Sequence, residues 1–536
     1  MKTYSREQFV KDVTAGIIVA IIALPLSIAL ALASGVGPEA GIFTAIVAGF
    51  VISALGGSSV QIAGPTAAFA TIVAGIVAKN GLDGLVIATI LAGIFLILMG
   101  LCHFGTLIRF IPYTITTGFT AGIAVTIVIG QLKDFFGVTY PDGVKPIETM
   151  EKLHAFVENC GTVNLSAVIV GVVSLAILII SPYIFKKIPG SLLAVVAGIL
   201  MVKLLPLKAS TIGDLYSISN ALPGFHLPAL SLAAVEDAIP NAFTIAVLAA
   251  IESLLSCVVA DGMINGKHRS DMELVAQGAG NIASALFGGI PATGAIARTA
   301  ANIKNGGRTP IAGMVHSITL VLVLVVLMPY AGMIPMPTIA AILFVVAYNM
   351  CQWRPFTHLI QTAPKSDILV LLVTFFLTVV FDLVVAIEIG MLLTCLLFMK
   401  RMSDETHVDS WTYVDDDSDA VNDHMQKLAK EIRVYEITGP LFFGAANAIE
   451  HIVVKDFTKC LVLRMRSVPA LDSTAMNALQ NLVKYCEAKG ITPIFSHVNE
   501  QPMHVMEKAG FVELVGKDNF CANISDALKR AEELIK

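Results

Sequence analysis

The sequence is dominated by apolar runs long enough to cross a lipid bilayer. A transmembrane helix needs about 17 to 25 mainly apolar residues. The sequence contains eleven clear runs of this kind and three weaker segments, near 61–79, 272–288 and 292–303. Together they predict an α-helical polytopic membrane domain with 14 spans. The clear runs lie near 12–34, 38–56, 82–102, 112–131, 163–182, 188–206, 239–260, 308–329, 335–351, 365–383 and 384–400.

Charged residues become frequent only after the last apolar run. The 536-residue chain is 56% hydrophobic and 14% charged, whereas about 25% of residues are charged in an ordinary soluble protein. From about Asp404 onward the composition is that of a soluble domain. We therefore predict a membrane domain over 1–402, an acidic linker over 403–428 that contains VDDDSD, and a soluble domain over 429–536.

Lysines and arginines in the loops predict the orientation in the membrane. Twelve of them lie on the side of the N-terminus and six on the other side, which predicts a multi-pass inner-membrane protein with both termini cytoplasmic. The twelve are Lys2, Arg6, Lys11, Arg109, Lys186, Lys187, Lys267, Arg269, Lys304, Arg308, Arg354 and Lys365. The six are Lys79, Lys133, Lys145, Lys152, Lys203 and Lys208.

Metal, disulfide and nucleotide chemistry have no support in the sequence. The eight cysteines are scattered without a C-x-x-C pair, and the eleven histidines do not cluster. Because these spacings fit neither a metal site nor a disulfide framework, we expect no metal and no cofactor. The chain also has no phosphate-binding loop for ATP. We expect neither an enzyme nor a nucleic-acid partner.

The stretch SVQIAGPTAAFATIVAG, from Ser59 to Gly75, interrupts a potential span with Gly64 and Pro65. Irregular backbone is tolerated at membrane depth only where protein or a cavity satisfies it. A helix that starts there exposes free N–H groups and the positive end of its dipole, which together favour an anion. Thr66 adds a hydroxyl group, and Ala67 and Ala68 are small enough to let a ligand reach the backbone.

A second interrupted segment, GGIPATGAIARTAANIKNGG, runs from Gly288 to Gly307. Ala295, Ile296 and Ala297 precede Arg298 at the start of its short helix. Paired interrupted segments in the two halves of a chain indicate the central site of a transporter, and seven spans lie on either side of about Pro206. An arginine at this depth is costly and indicates function. The alternative for Arg298 is a pair with a buried carboxylate, and the alternative for Gly64-Pro65 taken alone is an ordinary kinked helix.

Glu252 is an isolated acidic residue in the apolar run TIAVLAAIESLLSCVVA. Removal from water favours the protonated form of a carboxyl group, so Glu252 could load and release a proton. Ser256 follows one helical turn later on the same face. Sodium bound by Glu252 and Ser256, or a static ion pair between Glu252 and Arg298, are the alternatives.

Strand and helix signals alternate after the linker. RVYEITG, KCLVLRM and ITPIF are typical of strands, and STAMNALQNLVKYCEAKG is typical of a helix. This alternation predicts an α/β sheet domain. We expect Ser473 to be the N-cap of that helix, because serine is a preferred capping residue.

Five stretches resemble the SulP anion permeases, the family that includes eukaryotic sulfate transporters, pendrin and prestin. The resemblance implies a seven-plus-seven inverted repeat with core and gate domains, elevator-like movement, a homodimer and a cytoplasmic STAS domain. In STAS-like regulators the residue at Ser473 is a phosphorylated serine, which makes Ser473 a candidate regulatory site and the domain a candidate surface for a protein partner. The stretches are ALPLSIALALASGVGPEAGIF, GGSSVQIAGPTAAFA, AIESLLSCVVADGM, ELVAQGAGNIASALFGGIPATGAIARTAANIKNGGRTP and VPALDSTAMNAL.

The anion site of the family maps by resemblance onto Leu26 and Leu30, onto Thr66, and onto Ala297 with Arg298. Leu26 replaces a glutamine of the vertebrate pattern, Leu30 an aromatic residue and Ala297 a serine. These replacements remove polar side chains, so backbone N–H groups are expected to be the main donors to the substrate.

The overall resemblance is to bacterial SulP proteins that take up C4-dicarboxylates such as succinate, fumarate and aspartate. It implies uptake of such anions, and the isolated Glu252 favours protons as the coupling ion. A related cyanobacterial bicarbonate transporter has an aspartate at the position of Glu252 and uses it for sodium. Sulfate or bicarbonate symport with protons or sodium, an anion channel, and a receptor that signals through the STAS domain are the alternatives.

Overall fold

The computed structural model divides into two compact units, Met1–Met391 and Leu392–Lys536. The positively charged residues Lys2, Arg109, Lys145, Lys186 and Lys187, together with Pro206 and the VDDDSD stretch, lie outside the described residues. The structure describes residues 4–106, 111–141, 144, 146–184, 189–205, 207–216, 218–219, 221–228, 231–381, 383–411, 430–445, 449 and 452–536.

The first unit is built from helices. Its two-residue strands are β1 (Ala63–Gly64) and β2 (Thr293–Gly294). Helix α16 (Leu383–Asp404) runs across the boundary between the units. In chain order, helices α1 to α15 are Arg6–Ala33, Pro38–Leu55, Ala70–Leu101, Tyr113–Phe136, Thr149–Glu158, Leu165–Ile184, Gly190–Leu204, Ile212–Leu215, Leu232–Ile264, Ser270–Leu286, Ile296–Lys304, Pro310–Ala331, Met336–Cys351, Trp353–Thr362 and Lys365–Val380.

Every predicted span overlaps one of these helices. Within the described residues, eight helical stretches are long and apolar enough to cross a membrane by length and composition. The predicted spans 61–79 and 82–102 lie in one stretch because α3 is continuous in hydrogen bonding but kinks at Gly81, where φ is +72°. Glycine permits this left-handed conformation without a Cβ clash. Helices α10 and α11 are shorter, as the two weaker segments predicted.

The helices of the first unit pack into two groups. Helices α1, α2, α3, α9, α10, α11 and α12 contact one another and form the core bundle, whereas α4, α6, α7, α13 and α15 form the gate bundle. The core bundle contains the same order of elements twice: two helices, a short strand and another helix. The two strands pair antiparallel, with Ala63 opposite Gly294 and Gly64 opposite Thr293. This arrangement fits an inverted repeat.

The described residues of the second unit form a five-stranded sheet in the order β3-β4-β5-β6-β7. Strand β3 is antiparallel to β4, and the other neighbours are parallel. Strand β5 is buried on both faces, as expected for a central parallel strand. The strands β3 to β7 are His407–Trp411, Ile432–Thr438, Cys460–Ser467, Thr492–Ser496 and Phe520–Cys521. The helices α17 to α20 are Ser473–Ala488, Glu500–Lys508, Phe511–Val515 and Ile524–Ile535.

Two local predictions for this part of the chain are wrong. The segment His407–Trp411, assigned to the linker, forms β3 and pairs with β4. Its charged and polar residues resemble a linker in the sequence, but such residues are also common in edge strands. Ser473 is not the N-cap of α17. Asp472 is the N-cap, and its side chain accepts a hydrogen bond from the Ala475 amide at 2.8 Å.

Removal of the Asp472 carboxylate should loosen the start of α17, because an N-cap side chain contributes about 0.5–2 kcal/mol. We expect Asp472→Ala to accelerate hydrogen exchange of the Ala475 amide by roughly 2- to 30-fold, measured by mass spectrometry on the full-length protein. Ser473→Ala is the matched control, since Ser473 is exposed. Equal acceleration in the two variants would contradict the capping role of Asp472.

Candidate functional site

The pairing of β1 with β2 brings the two interrupted segments together in the core bundle. After β1, Thr66 precedes a short 3-10 helix, Ala67–Phe69, which leads into α3. After β2, Ala295 precedes α11. The first amides of a helix have no partner within it. The tip of α11 therefore presents the N–H groups of Ile296, Ala297 and Arg298, whereas the Thr299 amide donates to the Ala295 carbonyl.

A polar stripe on α10 satisfies the irregular backbone around both strands. Glu273 accepts hydrogen bonds from the amides of Gly57 and Ser58, at 2.8 and 3.1 Å. Asn281 exchanges two hydrogen bonds with the backbone of Ala292. Ser284 donates to the carbonyl of Ile290 at 2.8 Å. These buried groups were missed in the sequence, where the four-residue spacing of Glu273, Gln277 and Asn281 was the available signal.

Arg298 is almost fully buried, with 1% of its surface exposed. Its Nη2 donates to the Ser27 hydroxyl at 3.3 Å and to the Pro65 carbonyl at 3.2 Å. Its Nε and Nη1 have no partner among the described residues, and no ion pair with a carboxylate is formed there. The predicted alternative of a static Glu252–Arg298 pair is therefore absent from the described part of the chain. These two buried nitrogens carry three N–H bonds that have no acceptor there.

Glu252 lies on α9 and accepts a hydrogen bond from the Thr66 hydroxyl at 3.0 Å. The carboxylate therefore sits beside the first interrupted segment. Ser256 does not join it. The Ser256 hydroxyl is buried and approaches the Thr299 hydroxyl at 3.5 Å. Residues four apart share a helix face but are displaced by about 6 Å along the axis. Ser256 therefore contacts Thr299 of α11 and lies away from Glu252 and the cavity.

A cavity of about 280 Å³ lies between the core and gate bundles. The structure brings most of the predicted site residues to this one cavity. Ala68 and Ser256 are exceptions: both are buried and do not line it. The predicted residues that line it are Leu26, Leu30, Thr66, Ala67, Glu252, Ala295, Ile296, Ala297 and Arg298.

The gate bundle supplies the part of the cavity that the sequence did not predict. Its residues carry no signal in a single sequence, because they belong to ordinary apolar helices and meet the site only through packing. They are Phe119, Thr120, Val346, Asn349, Met350 and Gln352.

His316 is another buried polar residue that the sequence did not indicate as functional. It is fully buried on α12, and both ring nitrogens lack a partner within the described residues. A lone histidine in the apolar run 308–329 was the available signal. It does not line the cavity.

The Sulfate permease family model matches residues 9–374, and the STAS domain model matches residues 426–527. The first match covers more than half of the chain. The chain belongs to the sulfate permease family. The predicted fold class, a helical membrane domain followed by an α/β STAS domain, is thereby confirmed.

Relatives of similar length carry transporter names. The chain is 39% identical over 532 residues to "Putative sulfate transporter YvdB" of Bacillus subtilis (strain 168), covering 97% of each chain. It is 31% identical over 538 residues to the bicarbonate transporter BicA of Picosynechococcus sp. (strain ATCC 27264 / PCC 7002 / PR-6), covering 97% of this chain and 94% of the relative. These names support an anion transporter.

Solved structures agree with this fold. The transmembrane domain of a cyanobacterial BicA is 30% identical, with a TM-score of 0.65, and the match covers 72% of this chain and 98% of that one. The murine Slc26a9 anion transporter in the inward-facing state has a TM-score of 0.88. That match covers 99% of this chain and 93% of the other, and at 18% identity it shows the fold alone.

Gly64 allows the guanidinium group of Arg298 to reach its position, because a Cβ at residue 64 would overlap with Nη1. We expect Gly64→Ala to displace this group and to lower anion uptake by roughly 10- to 100-fold, as small misplacements of a positioning group can. Uptake into proteoliposomes provides the measurement. Gly75→Ala is the control, since no atom would lie within 4 Å of its Cβ. A Gly64→Ala protein with normal uptake would refute the close approach.

Arg298→Ala removes the positively charged side chain from the described lining of the cavity. A hydrogen bond to a charged group contributes about 1.5–3 kcal/mol, so the dissociation constant for succinate or sulfate should rise by roughly 10- to 150-fold. Isothermal titration of the purified protein measures this change. Lys304→Ala is the control, because it removes one positive charge from the exposed end of the same helix. An unchanged affinity in Arg298→Ala would exclude Arg298 from anion binding.

Proposed function

We propose that this protein is a secondary active transporter that takes up small anions together with protons. The observation that carries the proposal is the buried Arg298, whose Nε and Nη1 have no partner among the described residues, at a cavity lined by both interrupted segments. An anion there would meet the guanidinium group and the free amides of α11 together. A buried charge without a counter-ion is costly, so a bound anion would relieve that cost.

Glu252 is the proposed proton carrier. It lines the same cavity as Arg298 and is held by Thr66, which belongs to the first interrupted segment. Protonation of Glu252 would remove a negative charge from the cavity and so favour the entry of an anion. The displaced position of Ser256 leaves fewer oxygen ligands for sodium near Glu252, which favours the proton over sodium.

C4-dicarboxylates such as succinate, fumarate and aspartate are the proposed substrates. Apolar side chains, including Leu26, Leu30, Phe119 and Val346, line much of the cavity. Such a surface suits the carbon chain of an organic anion, whereas a sulfate ion has only oxygen atoms to present. Sulfate and bicarbonate are the alternative substrates, in line with the names of the relatives.

The movement, oligomeric state and membrane orientation of the protein belong to the same proposed function. The core bundle would move against the gate bundle as an elevator, in a homodimer in the inner membrane. Both termini and the STAS domain would be cytoplasmic, as the loop charges predict. The membrane domain over 1–402 would perform transport, and the STAS domain would serve assembly and contact with a protein partner. Ser473 is exposed at the start of α17, where a kinase could reach it.

Uptake into proteoliposomes tests the proposed function. Succinate, fumarate, aspartate, sulfate and bicarbonate are each supplied with and without inward gradients of protons and of sodium. We expect dicarboxylates to accumulate with the proton gradient. Accumulation of sulfate or bicarbonate alone would overturn the dicarboxylate assignment. Single-channel currents without ion coupling would indicate a channel, and anion binding without any transport would indicate a receptor.

Glu252→Gln should uncouple uptake from the proton gradient, because the amide cannot bind and release the proton. Accumulation should stop, while exchange of internal for external substrate continues. Glu236→Gln is the matched control, since Glu236 is an exposed carboxylate on the same helix. If Glu252→Gln still concentrated substrate in response to a proton gradient, Glu252 would not be the coupling residue.

A further inference from the structure

The gate side of the cavity contains two carboxamide side chains that the proposed function has not used. Asn349 belongs to the last turn of α13, and Gln352 joins α13 to α14. Both residues are exposed and line the cavity. Thr120 lines it too, but its hydroxyl already donates to the carbonyls of Thr116 and Thr117. Among the described residues of this wall, the two carboxamides are therefore the side-chain donors available to a ligand.

The backbone at Gln352 is unusual. Its φ and ψ are both 45°, in the left-handed region. A non-glycine residue in this region costs about 1–3 kcal/mol and is often found at functional sites. The conformation ends α13 at the cavity and starts α14 in a new direction. Without this break, α13 and α14 would continue as one rod, and residues 349 and 352 would occupy other positions around it.

The charges of the cavity lie on the core side. Among the described residues that line it, the ionisable ones are Glu252 and Arg298, both in the core bundle. The carboxyl-terminal end of α13 carries partial negative charge, which opposes a bare anion. A carboxamide supplies two N–H donors without net charge. Asn349 and Gln352 could thus accept a carboxylate at a wall where the helix end alone would repel it.

We propose that Asn349 and Gln352 form a gate-side subsite that donates hydrogen bonds to the distal carboxylate of an elongated dicarboxylate. The proximal carboxylate binds at Arg298 and the tip of α11. A compact anion such as sulfate binds at the tip and does not reach the gate. The subsite therefore selects for substrate length. This inference rests on the proposed function of the same cavity.

The double variant Asn349→Leu/Gln352→Met tests the subsite in full-length protein reconstituted into proteoliposomes. Leucine and methionine have similar size but no donors. Each neutral hydrogen bond contributes about 0.5–1.5 kcal/mol, so the half-saturation concentration for succinate should rise by roughly 5- to 100-fold. That for sulfate, measured by uptake or by competition, should change less than about twofold. The sulfate measurement also reports whether the variant is folded.

A charge variant sharpens the test. Asn349→Asp places a carboxylate at the gate wall. It should weaken the binding of succinate more than the binding of sulfate, because only succinate brings a second carboxylate to that wall. Gln361→Met is the matched control, because Gln361 is an exposed carboxamide on α14 that does not line the cavity. This control should leave the half-saturation concentrations for succinate and for sulfate unchanged.

The outcomes separate the two proposals. Suppose that the wild-type protein transports succinate, and that the variants weaken the binding of succinate and of sulfate equally or weaken neither. The proposed subsite is then wrong, and the proposed function stands. If the wild-type protein transports sulfate or bicarbonate but neither binds nor transports succinate, the dicarboxylate assignment and the subsite both fail. A selective loss of succinate in the double variant, with sulfate retained, supports both.

Discussion

The two interrupted segments can exist within a membrane only if their backbone groups find partners inside the protein. The pairing of β1 with β2 satisfies part of this requirement, and the buried polar stripe of α10 satisfies much of the rest. Glu273 is central, since it binds the amides of Gly57 and Ser58 as well as Gln61. With these groups satisfied, the N–H groups at the tip of α11 remain beside the cavity, and Arg298, which also lines it, has no counter-ion among the described residues.

The same packing keeps two opposite charges near one cavity without joining them. Gly64 lets the guanidinium group approach the backbone of the first segment, where the Pro65 carbonyl accepts a hydrogen bond from it, and the Ser27 hydroxyl on α1 accepts another. Glu252 is held instead by Thr66. Because electrostatic interactions are strong where water is excluded, a change in the protonation of Glu252 would alter the affinity for an anion at Arg298. In the proposed function, this dependence would couple the proton to the anion.

Residues that are costly in a membrane could be recognised from the sequence, and their roles in transport stay predictions. Isolated Glu252 and Arg298 in apolar runs, and the Gly-Pro interruptions, indicated the cavity residues that the structure brings together. Prediction from the sequence failed where a structural feature depends on contact with another segment or side chain. The edge strand His407–Trp411 is defined by pairing with β4, and the cap of α17 depends on which of two adjacent side chains turns toward the Ala475 amide.

The sequence alone determined the apolar spans, the change to a soluble domain, the two interrupted segments and the costly ionisable residues within the membrane. These follow from local composition, because the cost of placing a polar group in lipid depends on the residue itself. Only the tertiary structure decided that Ser256 lies behind the site, that α10 supports the broken backbone, and that Asn349 and Gln352 face the core across a cavity. Those facts depend on helix packing between distant parts of the chain, which no local pattern specifies.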